Sequence, residues 1–155
     1  MEFRVLQIWK AKGTYSTRNA EHKTRNSKRE ILQRMRLAIN GMGRIGRLLF
    51  RRLINHETIK VVAVNDVMDT ANLAYLLKYD SVYGAWPGAP VLEDNELVTD
   101  GKQVMAFSEQ DPLKLPWKQL DVDVVLECTG RFTARSAALA HIEAGARRVL
   151  LSTTG

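Results

Sequence analysis

The stretch Asn40-Gly41-Met42-Gly43-Arg44-Ile45-Gly46-Arg47 has few uses other than to turn a strand into a helix. Before it, Arg36-Leu37-Ala38-Ile39 is short and mostly apolar, as a buried strand requires. After it, Ile45, Leu48, Leu49 and Leu53 recur at helical spacing. Each glycine has a separate task in such a turn. Gly41 permits the tight bend, Gly43 lets a pyrophosphate approach bare backbone, and Gly46 lets the helix press against the sheet. The unpaired amides of the helix start then face the anion.

A Gly-x-Gly-x-x-Gly pattern alone is a weak signal, and its surroundings decide its meaning. A second apolar run, Lys60-Val61-Val62-Ala63-Val64, ends in Asn65-Asp66, which places Asp66 20 residues beyond Gly46. That is about the spacing at which dinucleotide folds set their ribose-binding carboxylate. An aspartate there accepts hydrogen bonds from both ribose hydroxyls and repels a 2′-phosphate, so NAD is expected rather than NADP. The competing reading is that Asp66 only caps the next helix.

The formal charge of +6 invites a nucleic-acid reading, but its distribution argues otherwise. Residues 1–34 carry nine Lys or Arg against three acids, whereas residues 35–155 carry fourteen of each. The basicity belongs to an extension, 1–34, expected to stay disordered and add nothing to the core. Val5, Leu6, Ile8 and Trp9 in it could form a short helix. Nucleic-acid contact through this arm is the minor alternative. No run is long and apolar enough to span a bilayer, and a single cysteine permits no internal disulfide, which suits a reducing cytoplasm.

Residues 35–155 then read as one domain. Thr70–Tyr79 is expected to be a helix capped by Thr70 or Asp69, with Leu73, Leu76 and Leu77 on one face. Gly84, Pro87, Gly88 and Pro90 break the chain, and short apolar segments follow, with Asp100-Gly101 as a hairpin turn. Asp123–Cys128 is a strand buried on both faces, Arg135–Gly145 a third helix, and Arg148–Ser152 the last strand. The fold class is therefore α/β, a Rossmann-type doubly wound parallel sheet with a small antiparallel insertion. Ligands of such sheets bind beyond the carboxyl ends of the strands, which brings Thr129 and Gly130 to the cofactor. Arg47, Arg51 and Arg52 are expected on a solvated helix face, and His141 is expected to be exposed. Cys128 ends a buried strand with nothing nearby in sequence to activate it, and reads as a structural thiol.

Asn40–Arg47, Asn65-Asp66, Leu77–Val82, Asp111-Pro112 with Leu115-Pro116-Trp117, and Glu127–Thr133, taken in order, resemble the N-terminal half of phosphorylating glyceraldehyde-3-phosphate dehydrogenases. The resemblance covers Met35–Gly155. It implies that Asn40, Gly41, Gly43, Arg44, Ile45 and Gly46 surround the pyrophosphate, and that Asn65 and Asp66 serve the adenosine ribose. Phe132 and the turn at Gln110 would lie beside the adenine, and Thr129, Gly130 and Ser152 towards the nicotinamide. Two positions depart from the family pattern: Gln110 stands where Arg is usual, leaving a backbone contact, and Tyr83 where His is usual. The resemblance further implies a cytoplasmic homotetramer, a sugar-phosphate aldehyde as substrate, and no metal. By the same resemblance the catalytic Cys and its His would lie beyond Gly155, so no catalytic residue is expected in this chain. The erythrose-4-phosphate enzyme shares these motifs, and a non-catalytic NAD-binding module would use the same turn.

Overall fold

The structure, a computed structural model, describes residues 8–10 and 34–152. The described residues form ten strands and three α-helices. β1 spans Ile8–Lys10, β2 Met35–Asn40, α1 Arg44–Leu53, β3 Ile59–Asn65 and α2 Thr70–Lys78. A two-stranded ribbon follows, β4 (Tyr79–Asp80) with β5 (Gly84–Ala85), and then β6 (Val91–Glu93), β7 (Glu96–Thr99) and β8 (Lys102–Phe107). One 3-10 turn (Pro112–Lys114), β9 (Val124–Glu127), α3 (Arg135–Glu143) and β10 (Arg148–Leu151) complete it.

Eight strands form a single sheet in the order β1-β10-β9-β2-β3-β8-β7-β6. Its centre, β10-β9-β2-β3-β8, is parallel throughout, as βαβ connections demand. This is the expected Rossmann-type architecture, and the order reverses between β2 and β9. The crevice for a ligand therefore opens beyond the ends of β2, β3 and β9.

The antiparallel insertion is continuous with the main sheet. β8 pairs in parallel with β3 on one side and antiparallel with β7 on the other. Asp100 and Gly101 turn at φ 47° and 71°, and Asp94 and Asn95 at 44° and 65°. Both left-handed pairs match the twist of two-residue hairpins.

Layers on the two faces of the sheet bury separate cores. On one face, Phe50 of α1 and Leu73 and Leu77 of α2 pack on Ile39, Val61 and Val64. On the other, Trp117 and Ala138 of α3 pack on Ala38, Val62, Val125 and Val149. With most of its strand side chains buried on both sides, β9 tolerates a polar residue only where that residue is paired.

Ile8 and Trp9, read as part of a short helix, lie instead in β1, which runs antiparallel to β10 with Ile8 opposite Leu150. Without it β10 would present a row of unpaired backbone groups at the sheet edge. Val5, Leu6 and the basic run 11–33 fall outside the described residues.

Candidate functional site

The carboxyl ends of β2, β3 and β9 converge on a cleft of about 230 Å³ lined by Asn40, Gly41, Gly43, Asn65, Asp66 and Thr129, with Glu109 and Gln110 on one wall and Arg131 and Phe132 on the other. The glycine turn forms its floor. Gly41 sits at φ 94°, and a Cβ there would meet Thr129 N at 2.6 Å. A Cβ on Gly46 would lie 2.0 Å from the carbonyl oxygen of Gly41, which fixes how closely α1 approaches the turn. Gly43 differs from both. No atom lies within 4 Å of the place a Cβ would fill, and the residue is exposed.

Gly43 is also the N-cap of α1, with no side-chain cap and no acid in the first turn. The first amides of a helix have no partner within it. These donors, with the positive end of the helix dipole, are left to whatever enters from the cleft.

Asp66 closes the adjacent side. Its Oδ2 accepts from the Met42 amide at 2.6 Å and its Oδ1 from the Met68 amide at 2.9 Å. It does not cap α2: the Asp69 carboxylate does that. Asp66 thus buttresses the glycine turn and also lines the cleft.

Asn40 and Asn65 also line the cleft, but their side chains are spent inward. Asn40 Nδ2 donates to Glu127 Oε2 at 2.6 Å, and its Oδ1 accepts from Asn65 Nδ2 at 2.7 Å. Asn65 in turn brackets the Glu109 backbone, accepting from its amide and donating to its carbonyl, each at 2.9 Å. This side-chain clamp takes the place of a strand pair and holds the loop that carries exposed Gln110 against the cleft.

Glu127 is only 3% exposed. Burial penalises its charge, yet hydrogen bonds from His141, Thr129 and Asn40 outweigh that and hold the carboxyl below its usual value. Its contribution to stability is therefore present at neutral pH and is lost as pH falls through that lowered value.

Several expected residues stand apart from the cleft lining. The Arg44 side chain lines a separate surface groove with Tyr75, Tyr79 and Tyr83, the Ile45 side chain is 48% exposed, and Gly46 is buried beneath the turn. Gly130, at φ 70°, bends the chain between Thr129 and Arg131 without lining the cleft. Ser152 follows β10, its amide donating to the Glu127 carbonyl at 2.9 Å, also outside the lining.

Three expectations are corrected. His141 is fully buried, not exposed, because Trp117 and Glu127 supply polar partners for both ring nitrogens. Arg47 is half-buried rather than fully solvated, its Nη1 donating to the Met42 carbonyl at 2.9 Å. Arg51 likewise donates to the Leu77 carbonyl at 2.7 Å and lies over the Trp86 ring.

Cys128 is half-buried, and burial pushes its thiol up to about 11, with the Glu127 charge adding to the effect. A thiol so held is protonated at neutral pH and is a poor nucleophile. Sequence reasoning missed Glu109, Glu127 and His141. The one signal for them was the pair of polar residues, Glu127 and His141, at positions where an apolar strand and a slim helix face called for apolar ones.

With this geometry in place, residues 35–135 match the family model described as glyceraldehyde 3-phosphate dehydrogenase, NAD binding domain. The chain is 50% identical over 118 residues to a glyceraldehyde-3-phosphate dehydrogenase of Mycoplasma pneumoniae, covering 76% of this chain and 35% of that protein. It is 50% identical over 119 residues to the enzyme of that name from Thermotoga maritima, covering 76% and 36%, and 50% identical over 117 to that of Clostridium pasteurianum. The chain thus spans about a third of the length of these curated relatives. No described helix is long and apolar enough to cross a membrane. NAD fits what the chain offers: a bare, uncapped helix start at Gly43 for a diphosphate and a carboxylate at Asp66 beside it. The chain belongs to the glyceraldehyde 3-phosphate dehydrogenase NAD-binding domain family.

Proposed function

We propose that this chain is the cofactor half of a phosphorylating aldehyde dehydrogenase acting on glyceraldehyde 3-phosphate, in a cytoplasmic homotetramer. NAD, when bound, supplies the hydride acceptor for oxidation of the aldehyde. The chain's own residues bind and orient it. The backbone of Gly41–Gly46 takes the pyrophosphate, with the Arg44 and Ile45 amides as donors. Asp66 holds the ribose hydroxyls, and Gln110 and Phe132 border the adenine. Thr129, Gly130 and Ser152 lie on the nicotinamide side. Asn40 and Asn65 act by setting the walls rather than by touching the ligand. Residues 35–155 form the unit that does this, and Ile8–Lys10 of the extension add an edge strand to its sheet.

Among the described residues there is no activated thiol. The chain's one cysteine, Cys128, is protonated at neutral pH and sits at a strand end, so this half alone turns over no sugar phosphate. The observation that carries the reading is the helix start at Gly43, left without a side-chain cap beside Asp66.

Titration calorimetry with NAD and NADP tests it. The parent binds NAD and discriminates against NADP. Asp66→Ala should weaken NAD by about tenfold or more, the net worth of at least one charge-assisted hydrogen bond, and should narrow the gap to NADP. Parent-like NAD affinity in Asp66→Ala would remove Asp66 from the site.

A further inference from the structure

We propose that His141, on α3 and outside the cleft, is the positioning residue for both walls of the NAD site, acting through Glu127. The proposal rests on the NAD reading above and extends it to a residue that does not itself line the cleft, although its ring packs edge-on against Phe132 and lies beside Asn40, which do.

The tautomer of His141 follows from its partners. An indole N–H can only donate, and Trp117 Nε1 lies 3.0 Å from His141 Nδ1. Nδ1 must therefore carry the lone pair, and the proton of the neutral ring sits on Nε2. From there it points at Glu127 Oε2, 3.0 Å away. Asn40 Nδ2, 3.3 Å from His141 Nε2, is then a second donor aimed at that same carboxylate oxygen rather than a partner of the ring.

Glu127 distributes this constraint in two directions. Its Oε1 accepts from the Thr129 amide at 2.7 Å and from the Thr129 hydroxyl. Thr129 Oγ then accepts from the Arg131 amide at 3.0 Å, which sets one wall. Through Oε2 the carboxylate holds Asn40, Asn40 holds Asn65, and Asn65 brackets Glu109, which sets the other. A buried carboxylate that lost the His141 donor would turn to recover a partner, and both chains of bonds would move with it. Fully satisfied buried networks fix a single arrangement, and partly satisfied ones do not.

Two substitutions separate positioning from simple support. Asn places its amide oxygen near Nδ1 and Gln places its amide nitrogen near Nε2. His141→Gln keeps the donor to Glu127 and strands the Trp117 indole. His141→Asn keeps the acceptor for Trp117 and strands Glu127. We expect His141→Gln to melt lower than the parent yet bind NAD within about twofold, and His141→Asn to bind about tenfold more weakly, the consequence of a charged buried acceptor short of one donor. Were His141 only structural, affinity would follow melting temperature in both; that result overturns the proposal.

Should either variant fail to fold, the unsubstituted chain still decides. On NAD addition, ¹⁵N spectra should show shifts at His141 Nε2 and Trp117 Nε1 as well as at the Gly43 and Thr129 amides. Shifts confined to the cleft amides leave NAD binding intact and refute the role of His141. Silence at every position refutes both.

Discussion

Two helices of this domain start one strand apart, at the ends of β2 and β3, and their starts are built in opposite ways. α2 begins behind Asp69, whose Oδ1 accepts from the Ala71 amide at 3.0 Å and the Asn72 amide at 3.1 Å. α1 begins behind Gly43, which offers no side chain at all. A side-chain cap is worth about 1 kcal/mol relative to alanine and a few tenths relative to glycine. α1 forgoes it although there is room, since nothing lies within 4 Å of the missing Cβ. Absence of a cap is not sufficient to mark a site, because α3 also starts, behind Ala134, without a side-chain cap. What distinguishes α1 is the combination of an open glycine, a cleft and a carboxylate beside it. The capped start serves the fold, and the bare one serves an anion.

The largest disturbance of that contrast comes from filling the tight positions of the α1 turn. Gly46→Ala puts a methyl group where the Gly41 carbonyl oxygen already stands, 2.0 Å away. The helix must shift off the turn, and overpacking of this kind costs about 3 kcal/mol or more. Chemical denaturation should show that loss, together with loss of NAD binding. An unchanged midpoint would mean that the turn is plastic and that its glycines do not fix the geometry of the floor.

A smaller and more informative change makes α1 resemble α2. Gly43→Asp supplies the carboxylate cap that Asp69 gives the second helix. The helix should gain about 1 kcal/mol from the cap and its favourable place on the dipole. NAD affinity should drop about a hundredfold, roughly 2.7 kcal/mol, because a fixed negative charge occupies the anion's place. Thermal melts without ligand and calorimetry with NAD would therefore move in opposite directions. If both fell together, Gly43 would be needed for the turn itself rather than for the ligand.

How much of this was legible in the sequence follows the range of the interactions involved. Gly41, Gly43 and Gly46 announce their turn because each answers a local steric demand, and Asp66 follows from a fixed strand-to-strand distance. The Asp100-Gly101 hairpin was visible for the same reason. His141 was not. Its partners are Trp117, 24 residues away, and Glu127, 14 away, and only the packing of α3 on the sheet brings them together. Helical periodicity placed it on a surface, but a slim face of alanines let α3 approach closely enough to bury an imidazole. Asn40 and Asn65 were legible as cleft residues, whereas the direction of their amides was not, because Glu109 and Glu127 decide it from elsewhere. The strand at Ile8–Lys10 was missed because its partner lies some 140 residues on, at Arg148–Leu150.

The smallest expected effect lies on the capped side. Asp69→Ala removes the acceptor for the Ala71 and Asn72 amides and should cost about 1 kcal/mol, seen as a melting point lower by a few degrees. NAD affinity should not change. The reason is the division of labour among neighbouring acids: Asp66 holds the Met42 and Met68 amides and faces the cleft, while Asp69, exposed and three residues on, bonds only the first turn of α2. Met68 separates the two carboxylates and is anchored by Asp66, so fraying of α2 stops short of the site. A fall in NAD affinity in Asp69→Ala, at a temperature where the protein stays folded, would show that the start of α2 helps hold Asp66. The two helix starts would then be coupled rather than independent.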